Sequence, residues 1–235
     1  PTGTKETEVN PPVVEIVDGF RVVRDDLIPG GTKARAIHLL FDRRSEYVYA
    51  GPCQGYAQVA LAYACRSTGK SATLFCAERG VLHSRTEEAA RAGARIVQIP
   101  NGYLSNVRSK ATRYCEHTGA VMLPFGLADD RMISGIAAAA SQIDHVPSEV
   151  WSVAGSGTLS LALQMAWPDA DVNAVIVGQR HTRIGRAKIW VAPERYEQGA
   201  KEPPPFPSCD NYDAKMWRFV KKYATPGALV WNVAR

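Results

Sequence analysis

The chain has 235 residues, of which 46% are hydrophobic, and its formal net charge of +5 is too mild for a tail that coats nucleic acid. Its length suits one large domain or two small lobes that share a cleft, and no apolar run approaches the roughly 20 residues of a membrane helix. Five cysteines without a C-x-x-C pair argue against a disulfide framework and a metal site, and the absence of an opening signal segment favours a reducing cytoplasm.

Predicted strands alternate with predicted helices along most of the sequence. The strands are predicted at 20–23, 46–50, 72–76, 95–99, 121–123, 150–153, 172–177, 188–191 and 228–231. The helices are predicted at 34–41, 56–67, 86–92, 104–117, 132–143, 159–167 and 213–223. This alternation indicates an α/β fold with a mostly parallel, twisted sheet that helices cover on both faces.

Two segments follow neither pattern. Residues 1–12 are polar and contain prolines, which predicts an unstructured or draped arm. Residues 193–211 contain five prolines, which predicts an irregular segment that crosses between the regular elements.

Lys33 follows a pair of glycines, Gly30 and Gly31, at the mouth of a predicted helix. Glycine lets the backbone approach a ligand closely and adopts dihedral angles that other residues avoid. A lysine in such a loop can bond a carbonyl as a Schiff base, provided that its surroundings discharge the ammonium. A surface turn with a solvated lysine explains the same residues, so this stretch alone leaves both interpretations open.

Two further loops lie between a predicted strand and a predicted helix, where parallel sheets bind their ligands. Residues 155–158, Gly-Ser-Gly-Thr, offer backbone N–H groups and hydroxyls at the positive end of a helix, which suits a phosphate. Residues 51–55 offer a similar set of N–H groups that could hold a carboxylate. The simpler explanations are a tight turn for the first loop and a helix cap with a buried Cys53 for the second.

Two smaller features complete the set of candidates. Tyr212 places a phenol beside the carboxylate of Asp213 at a predicted helix start, where an acid is favourable for helix stability alone. A basic cluster comprises Arg180, His181, Arg183, Arg186 and Lys188. Such a run is usually a solvated face, but it also suits phosphates on a small molecule or a polynucleotide.

Taken in order, four of these segments resemble the tryptophan-synthase-like (fold type II) pyridoxal-phosphate (PLP) enzymes. The most similar branch contains aminocyclopropane-carboxylate (ACC) deaminase and D-cysteine desulfhydrase. Its Arg-Glu-Asp-Leu…Gly-Gly-Asn-Lys-x-Arg is similar to 24–35 and its Ser-Asn-His/Gln-x-Arg-Gln to 53–58. Its Gly-Ser-Gly-Gly-Thr is similar to 154–158, and its Tyr-Glu/Thr-Gly-Lys to 212–215.

The resemblance implies a two-lobed, truncated fold type II enzyme with PLP as its cofactor. Residues 1–44 with 146–235 would form the larger, PLP-anchoring lobe, and 45–145 the smaller α/β lobe. The implied cofactor-binding residues are Lys33 (Schiff base), Gln54 (ring oxygen), Gly155, Ser156, Gly157 and Thr158 (phosphate) and Asp213 (pyridine nitrogen). The implied catalytic residues are Lys33, Tyr212 and Cys53, and the substrate carboxylate would lie against Cys53, Gly55 and Tyr56.

The chain departs from the branch's pattern at several positions. Cys53 stands where the branch has serine, Gln54 where it has asparagine, and Thr32 where asparagine usually precedes the lysine. The phosphate loop has one glycine fewer, and the chain is shorter between residues 178 and 212. A shorter segment between residues 178 and 212 predicts a cleft that is more open than the clefts of enzymes acting on small amino acids.

Three functional hypotheses follow from the resemblance. The first is a lyase- or deaminase-type PLP enzyme that breaks a bond at the α-carbon of an amino-acid-type amine by decarboxylation, deamination or elimination. The second applies this chemistry to an amino-acid adduct of a nucleic-acid base, as in phage DNA hypermodification in the host cytoplasm, with contacts from Arg180, Arg183, Arg186 and Lys188. The third is a non-catalytic relative that binds a phosphate ligand. A homodimer is left open.

Overall fold

The computed structural model describes residues 11–100, 102–178 and 183–235. The strands are β1 (Val14–Val17), β2 (Phe20–Arg24), β3 (Glu46–Ala50), β4 (Ser71–Ala77), β5 (Arg95–Ile99), β6 (Val121–Met122), β7 (Glu149–Ala154), β8 (Asp171–Ile176), β9 (Lys188–Val191) and β10 (Leu229–Asn232). The α-helices are α1 (Ala57–Ser67), α2 (Ser84–Arg91), α3 (Leu104–Thr118), α4 (Asp130–Ala140), α5 (Thr158–Ala166) and α6 (Trp217–Tyr223). The first ten residues of the predicted arm lie outside the described ranges.

The strands form two sheets. The four-stranded sheet has the order β5-β4-β3-β6, and all of its strand pairs are parallel. The six-stranded sheet has the order β1-β2-β10-β7-β8-β9 and is parallel except for the β1–β2 pair. The predicted α/β class with mostly parallel sheets is therefore confirmed. The first sheet takes its strands from 46–122 and the second from either side of that segment, while the predicted lobe boundaries remain a prediction.

Helices cover both faces of the four-stranded sheet, because successive side chains of a strand point to opposite faces. In β3, Tyr47 and Tyr49 belong to the apolar cluster that contains Leu61 of α1. Val48, which lies between them, belongs to a different cluster with Val107 of α3. This arrangement explains why β3 has no polar face in the sequence.

Strand β10 occupies the middle of the six-stranded sheet, and all four of its residues are buried. Leu229 pairs with Arg21 of β2 on one side and with Val150 of β7 on the other. Because these three strands are parallel, the segments that follow them emerge at the same edge of the sheet. The lysine loop after β2 and the glycine loop after β7 are brought together in this way.

The structure adds one hairpin whose first strand is not among the predicted strands. Strand β1 pairs antiparallel with β2 through the two-residue turn Asp18-Gly19. Both turn residues have positive φ, 50° and 81°, as a tight hairpin of right-handed twist requires.

The predicted helix at 34–41 is wrong. The chain instead forms two 3₁₀ turns, Gly31–Arg35 and Ile37–Leu40. The backbone N–H of Thr32 donates to the carbonyl oxygen of Val233 at 3.0 Å, so a tertiary contact fixes the first turn. The predicted helix at 213–223 likewise begins as a 3₁₀ turn, Asp213–Met216, before α6.

Two kinds of feature are absent from the described ranges. None of the helices there combines the length and hydropathy of a bilayer-spanning segment. The histidines, cysteines, aspartates and glutamates described also form no group of three or more that could hold a metal ion.

Candidate active site

One cavity lies at the edge of the six-stranded sheet where β2, β7 and β10 end. Its lining comprises Thr32, Lys33, Ile136, Val153, Gly155, Ser156, Gly157, Thr158, Leu159, Tyr212 and Val233. The lysine, the glycine loop and the phenol, which are far apart in the sequence, therefore face a common space. The free volume of this space is about 20 Å³, which is room for a single water molecule.

A buried hydrogen-bond network holds the lysine loop against β10. The Asp25 carboxylate accepts hydrogen bonds from Arg35 at 2.9 and 2.6 Å and from the Trp231 indole N–H at 3.0 Å. The same indole nitrogen lies 2.9 Å from the hydroxyl oxygen of Thr32. Since Thr32 directly precedes Lys33, this network fixes the backbone from which the lysine side chain projects.

A second buried ion pair lies beside the first. The Asp26 carboxylate accepts two hydrogen bonds of 2.8 Å from the Arg24 guanidinium and one of 2.8 Å from the Asn232 amide. The loop also approaches the segment after β10 so closely that a Cβ on Gly31 would lie 2.3 Å from the Val233 carbonyl oxygen. The acidic residues of the loop thus position it, and its second glycine permits the approach.

The Lys33 ammonium lies in an environment that favours its neutral form. Its side chain is mostly buried, and burial lowers its pKa, an effect that the nearby Asp213 charge opposes. Within the described part of the chain, its Nζ atom has no hydrogen-bond or ion-pair partner. A lowered pKa and the lack of a partner both favour the uncharged amine, which is the form that acts as a nucleophile and base.

The glycine loop connects β7 to the N-terminus of α5. Gly157 has a φ of +81°, and a Cβ at this position would lie 2.0 Å from the Arg183 carbonyl oxygen. The hydroxyl oxygens of Ser156 and Thr158 are 3.1 Å apart. The first N–H groups of a helix have no partner inside it, so this loop presents backbone donors and two hydroxyls to the cavity, a set suited to an anion.

Asp213 is a buried acid with one unsatisfied oxygen. Its Oδ2 atom accepts a hydrogen bond from the Ala234 N–H at 3.0 Å, while its Oδ1 atom has no partner among the residues described. Burial raises the pKa of Asp213 well above its usual range. A buried oxygen of this kind calls for a hydrogen-bond donor that the described residues do not provide.

Tyr212 separates Asp213 from the glycine loop. Burial and the adjacent Asp213 carboxylate raise the pKa of the Tyr212 phenol, so the phenol stays protonated. A Cβ on Gly155 would lie 2.8 Å from the phenol oxygen. The phenol therefore packs directly on the glycine loop.

Comparison with solved structures identifies the fold. No family model and no curated protein matches the sequence. An ACC deaminase homologue matches with a TM-score of 0.74 and 16% identity over 92% of this chain and 84% of its own. A threonine deaminase from T.th. has a TM-score of 0.68 and 15% identity over 95% and 91%. Diaminopropionate ammonia lyase from Escherichia coli has a TM-score of 0.69 and 13% identity over 98% and 84%.

The chain has the fold of the fold type II PLP enzymes. Identities of 13–16% establish the fold alone. Because the chain spans 84–91% of these neighbours, the truncation expected from the sequence remains a prediction.

Within this fold, the loop at 51–56 does not line the cavity that contains Lys33. Cys53 is buried, and its thiol donates to the Gln54 side-chain oxygen at 3.3 Å. The Gln58 amide donates to the Cys53 carbonyl oxygen and accepts a hydrogen bond of 3.1 Å from Thr86 of α2. The roles predicted for Cys53, Gln54, Gly55 and Tyr56 therefore remain predictions.

Arg85, the second residue of α2, has contacts that the sequence gives no means of predicting. Its guanidinium donates to the Gln54 carbonyl oxygen at 2.6 Å and to the Cys209 sulfur at 2.6 Å. It also lies over the Tyr56 ring, 4.2 Å from the ring centroid. Arg85 thus links the 51–56 loop to the segment that contains Asp213.

The loop that contains Gly126 follows β6 of the four-stranded sheet and contacts the glycine loop. The Gly126 N–H donates to the Tyr49 hydroxyl at 3.3 Å, and the Gly126 carbonyl accepts from the Ser156 hydroxyl at 3.4 Å. Burial raises the pKa of Tyr49 to about 12, which keeps this hydroxyl protonated. The sequence shows no signal for this support, because it depends on contacts between distant segments.

Arg180 and His181 of the predicted basic cluster lie outside the described residues, and the other members contact the chain itself. Arg183 pairs with Asp130 at 2.8 Å. Arg186 donates to the Ala170 and Trp167 carbonyl oxygens at 2.7 and 3.1 Å, which caps the end of α5. Lys188 lies 4.5 Å from the Trp190 ring centroid. Nucleic-acid contact through this cluster stays a prediction.

Proposed function

We propose that this protein is a PLP-dependent enzyme of the lyase or deaminase type, acting on amines of the amino-acid class. The observation that carries the proposal is the cavity shared by Lys33, the glycine loop and Tyr212, with Asp213 adjacent to it. The fold supports the proposal, since the matched structures include an ACC deaminase homologue, a threonine deaminase and an ammonia lyase. Those names favour loss of the amine over decarboxylation.

The chemistry of the side chains fits the cofactor. The unsatisfied Oδ1 atom of Asp213 would hold the proton of the pyridine nitrogen. The donors of the glycine loop would bind the phosphate, and the neutral amine of Lys33 would bond the aldehyde carbon. When bound, PLP supplies an electron sink for the carbon that bears the substrate's amine.

Lys33 and Tyr212 would then transfer the protons of the reaction. When its amine is not bonded to the cofactor, Lys33 would be able to remove a proton from the substrate carbon that bears the amine, because burial lowers its pKa. Tyr212 stays protonated and can donate a proton to a leaving group.

The test begins with PLP reconstitution of the purified protein. We expect a visible absorbance band and, after borohydride reduction and peptide mass spectrometry, a pyridoxyl group on Lys33. Lys33→Ala should lose this adduct, whereas Lys70→Ala, a change at a half-buried lysine that donates to the Asp42 and Arg44 carbonyl oxygens, should keep it. A wild-type protein that stays colourless, or an adduct unaffected by Lys33→Ala, would refute the proposal.

The reaction itself is tested by product analysis. The reconstituted protein, supplied with a panel of D- and L-amino acids, should release ammonia and a 2-keto acid from at least one of them. Release of CO2 without ammonia would instead identify a decarboxylase and remove the deaminase assignment.

A further inference from the structure

The carboxyl edge of the four-stranded sheet carries three exposed apolar side chains, one in each of three loops. Val81 follows β4, Tyr103 follows β5 and Phe125 follows β6, and they are 80%, 83% and 36% exposed. Because all strand pairs of this sheet are parallel, the loops that follow the strands emerge at the same edge. Single exposed apolar residues are ordinary on a protein surface, but three at one edge make that edge a candidate docking surface.

This edge lies next to the candidate active site. Gly126, which directly follows Phe125, donates its N–H to the Tyr49 hydroxyl. Its carbonyl oxygen accepts a hydrogen bond from Ser156 of the glycine loop. Burial raises the pKa of the Tyr49 phenol, and the charge of Arg108 opposes that rise, so Arg108 acts on the same hydroxyl. A ligand that covers Phe125 and Arg108 would therefore lie beside the glycine loop.

Basic side chains accompany the exposed aromatic rings. The Arg108 guanidinium of α3 lies 5.9 Å from the centroid of the Phe125 ring. Arg108, Lys110 and Arg113 of α3 are exposed, and none of them forms an ion pair within the described ranges. The segment 46–128 contains nine lysines and arginines against five aspartates and glutamates, so it carries four of the five net positive charges of the chain. The edge therefore combines flat apolar rings with cations.

A single-stranded polynucleotide has groups that match both features. Its phosphates pair with lysine and arginine side chains, and its unstacked bases stack on exposed aromatic rings. A second copy of this chain is a poorer match, since two copies of the same basic edge would repel each other in a symmetric dimer.

We propose that the carboxyl edge of the four-stranded sheet binds single-stranded nucleic acid, with bases stacked on Tyr103 and Phe125 and phosphates held by Arg108, Lys110 and Arg113. This binding needs no cofactor, so the inference goes beyond the proposed function and does not depend on it. It also does not need the basic cluster at 180–188, whose described members contact the chain itself.

Fluorescence anisotropy of a labelled oligothymidylate of about 20 nucleotides tests the inference on the full chain, with and without PLP. We expect a Kd below about 100 µM at low salt, the upper end of the range for binding without sequence specificity. Contacts to three phosphates give a slope of about −2 for the logarithm of the association constant against that of the salt concentration, so binding should weaken roughly 20-fold between about 50 and 200 mM NaCl. An abasic strand of the same length, which keeps the phosphates, should bind at least about 10-fold more weakly.

Tyr103 provides the sharpest variants, because a side chain that is 83% exposed can be replaced with little effect on the fold. Tyr103→Leu keeps apolar area but removes the ring, and it should raise the Kd roughly 5- to 100-fold, the range for loss of one stacked base. Tyr103→Phe should keep the wild-type affinity. Arg108→Gln should reduce the magnitude of the salt slope by about 0.7, the value for one phosphate, which a merely structural role would not do.

Tyr223 and Lys222 of α6 provide the matched controls. Tyr223 is 47% exposed, and the Lys222 Nζ atom lies 5.1 Å from the centroid of its ring. This pair repeats the combination of ring and cation on a helix that packs against the six-stranded sheet. Tyr223→Leu and Lys222→Gln should leave the Kd and the salt slope unchanged.

Equal affinity for the abasic and the normal strand, or equal affinity of wild type and Tyr103→Leu for the normal strand, would overturn the inference. A change in oligomeric mass by light scattering in Tyr103→Leu, without a change in affinity, would also overturn it, since the edge would then join copies of the chain. A protein that never binds PLP but shows the expected oligonucleotide binding would refute the proposed function alone. A PLP-loaded protein that does not bind the oligonucleotide would refute this inference alone.

Discussion

Asp213 is a buried acid whose burial the described residues compensate only in part. One of its oxygens accepts a backbone hydrogen bond, and the other has no partner in the described structure. Evolution of a folded protein normally removes such a group unless a ligand uses it. The residue is therefore a site of stored instability that a bound cation or protonated ring nitrogen would relieve.

The pH dependence of stability without PLP should reveal this instability. Because the folded-state pKa of Asp213 is raised, the folded state binds more protons than the unfolded state above about pH 4, and its contribution to stability falls as pH rises. Asp213→Asn removes the titrating carboxyl group and, with it, the loss of stability at high pH. We expect the variant to exceed wild type by about 1–3 kcal/mol at pH 8 and to match it more closely at pH 5.

Urea unfolding at the two pH values measures this difference. A gap that is constant with pH, or one that grows as the solution becomes acidic, would contradict the assigned pKa direction. In the loaded enzyme, the same variant should lower turnover more than it lowers PLP retention, because the acid would hold the ring-nitrogen proton.

At the scale of elements, the N-terminus of α5 combines a glycine at positive φ with a close backbone contact. Gly157→Ala places a Cβ on the Arg183 carbonyl at a positive φ, whereas Gly69, also at positive φ, has nothing within 4 Å of such an atom. Gly69→Ala should destabilise by about 1 kcal/mol, and Gly157→Ala by about 1–3 kcal/mol more.

Inorganic phosphate distinguishes a damaged anion loop from general destabilisation. Phosphate should raise the Tm of Gly69→Ala as much as that of wild type, and it should have little effect on Gly157→Ala. Equal responses in both variants would place phosphate binding elsewhere.

The elements of this site differ in how far the sequence could predict them. The family resemblance implied that Lys33 and the loop at 155–158 meet, and the structure gives the reason, because both follow strands that pair with β10. The Arg85–Cys209 contact could not, since it joins residues 124 positions apart through side-chain packing. The 3₁₀ turns near Lys33 could not be predicted from the sequence either, because a tertiary hydrogen bond to Val233 fixes the first of them. The Asp18-Gly19 hairpin did carry a local signal, an Asp-Gly pair between apolar runs.

At the scale of the whole molecule, Asp25 ties the beginning of the six-stranded sheet to β10. Asp25→Asn removes one partner of the buried pair with Arg35 and weakens the contact with Trp231, which lies 206 positions away. We expect a loss of about 3–5 kcal/mol in the free energy of unfolding. The matched change Asp129→Asn breaks a more exposed pair with Arg131 and should cost at most about 1 kcal/mol.

Chemical denaturation of both variants provides the measurement. A similar, small loss in the two would show that the Asp25 network does not support the fold. Reduced borohydride trapping on Lys33 in Asp25→Asn, at a temperature where the variant is folded, would further link the network to the lysine.

The central position of β10 has a consequence for biosynthesis. Strands β2 and β7 have no direct pairing with each other, and each pairs with β10 instead. On the ribosome, the strands of the four-stranded sheet, which end at residue 122, can assemble while synthesis continues. The cleft around Lys33 is complete only after residues 229–232 have emerged, because both strands that precede its loops pair with β10.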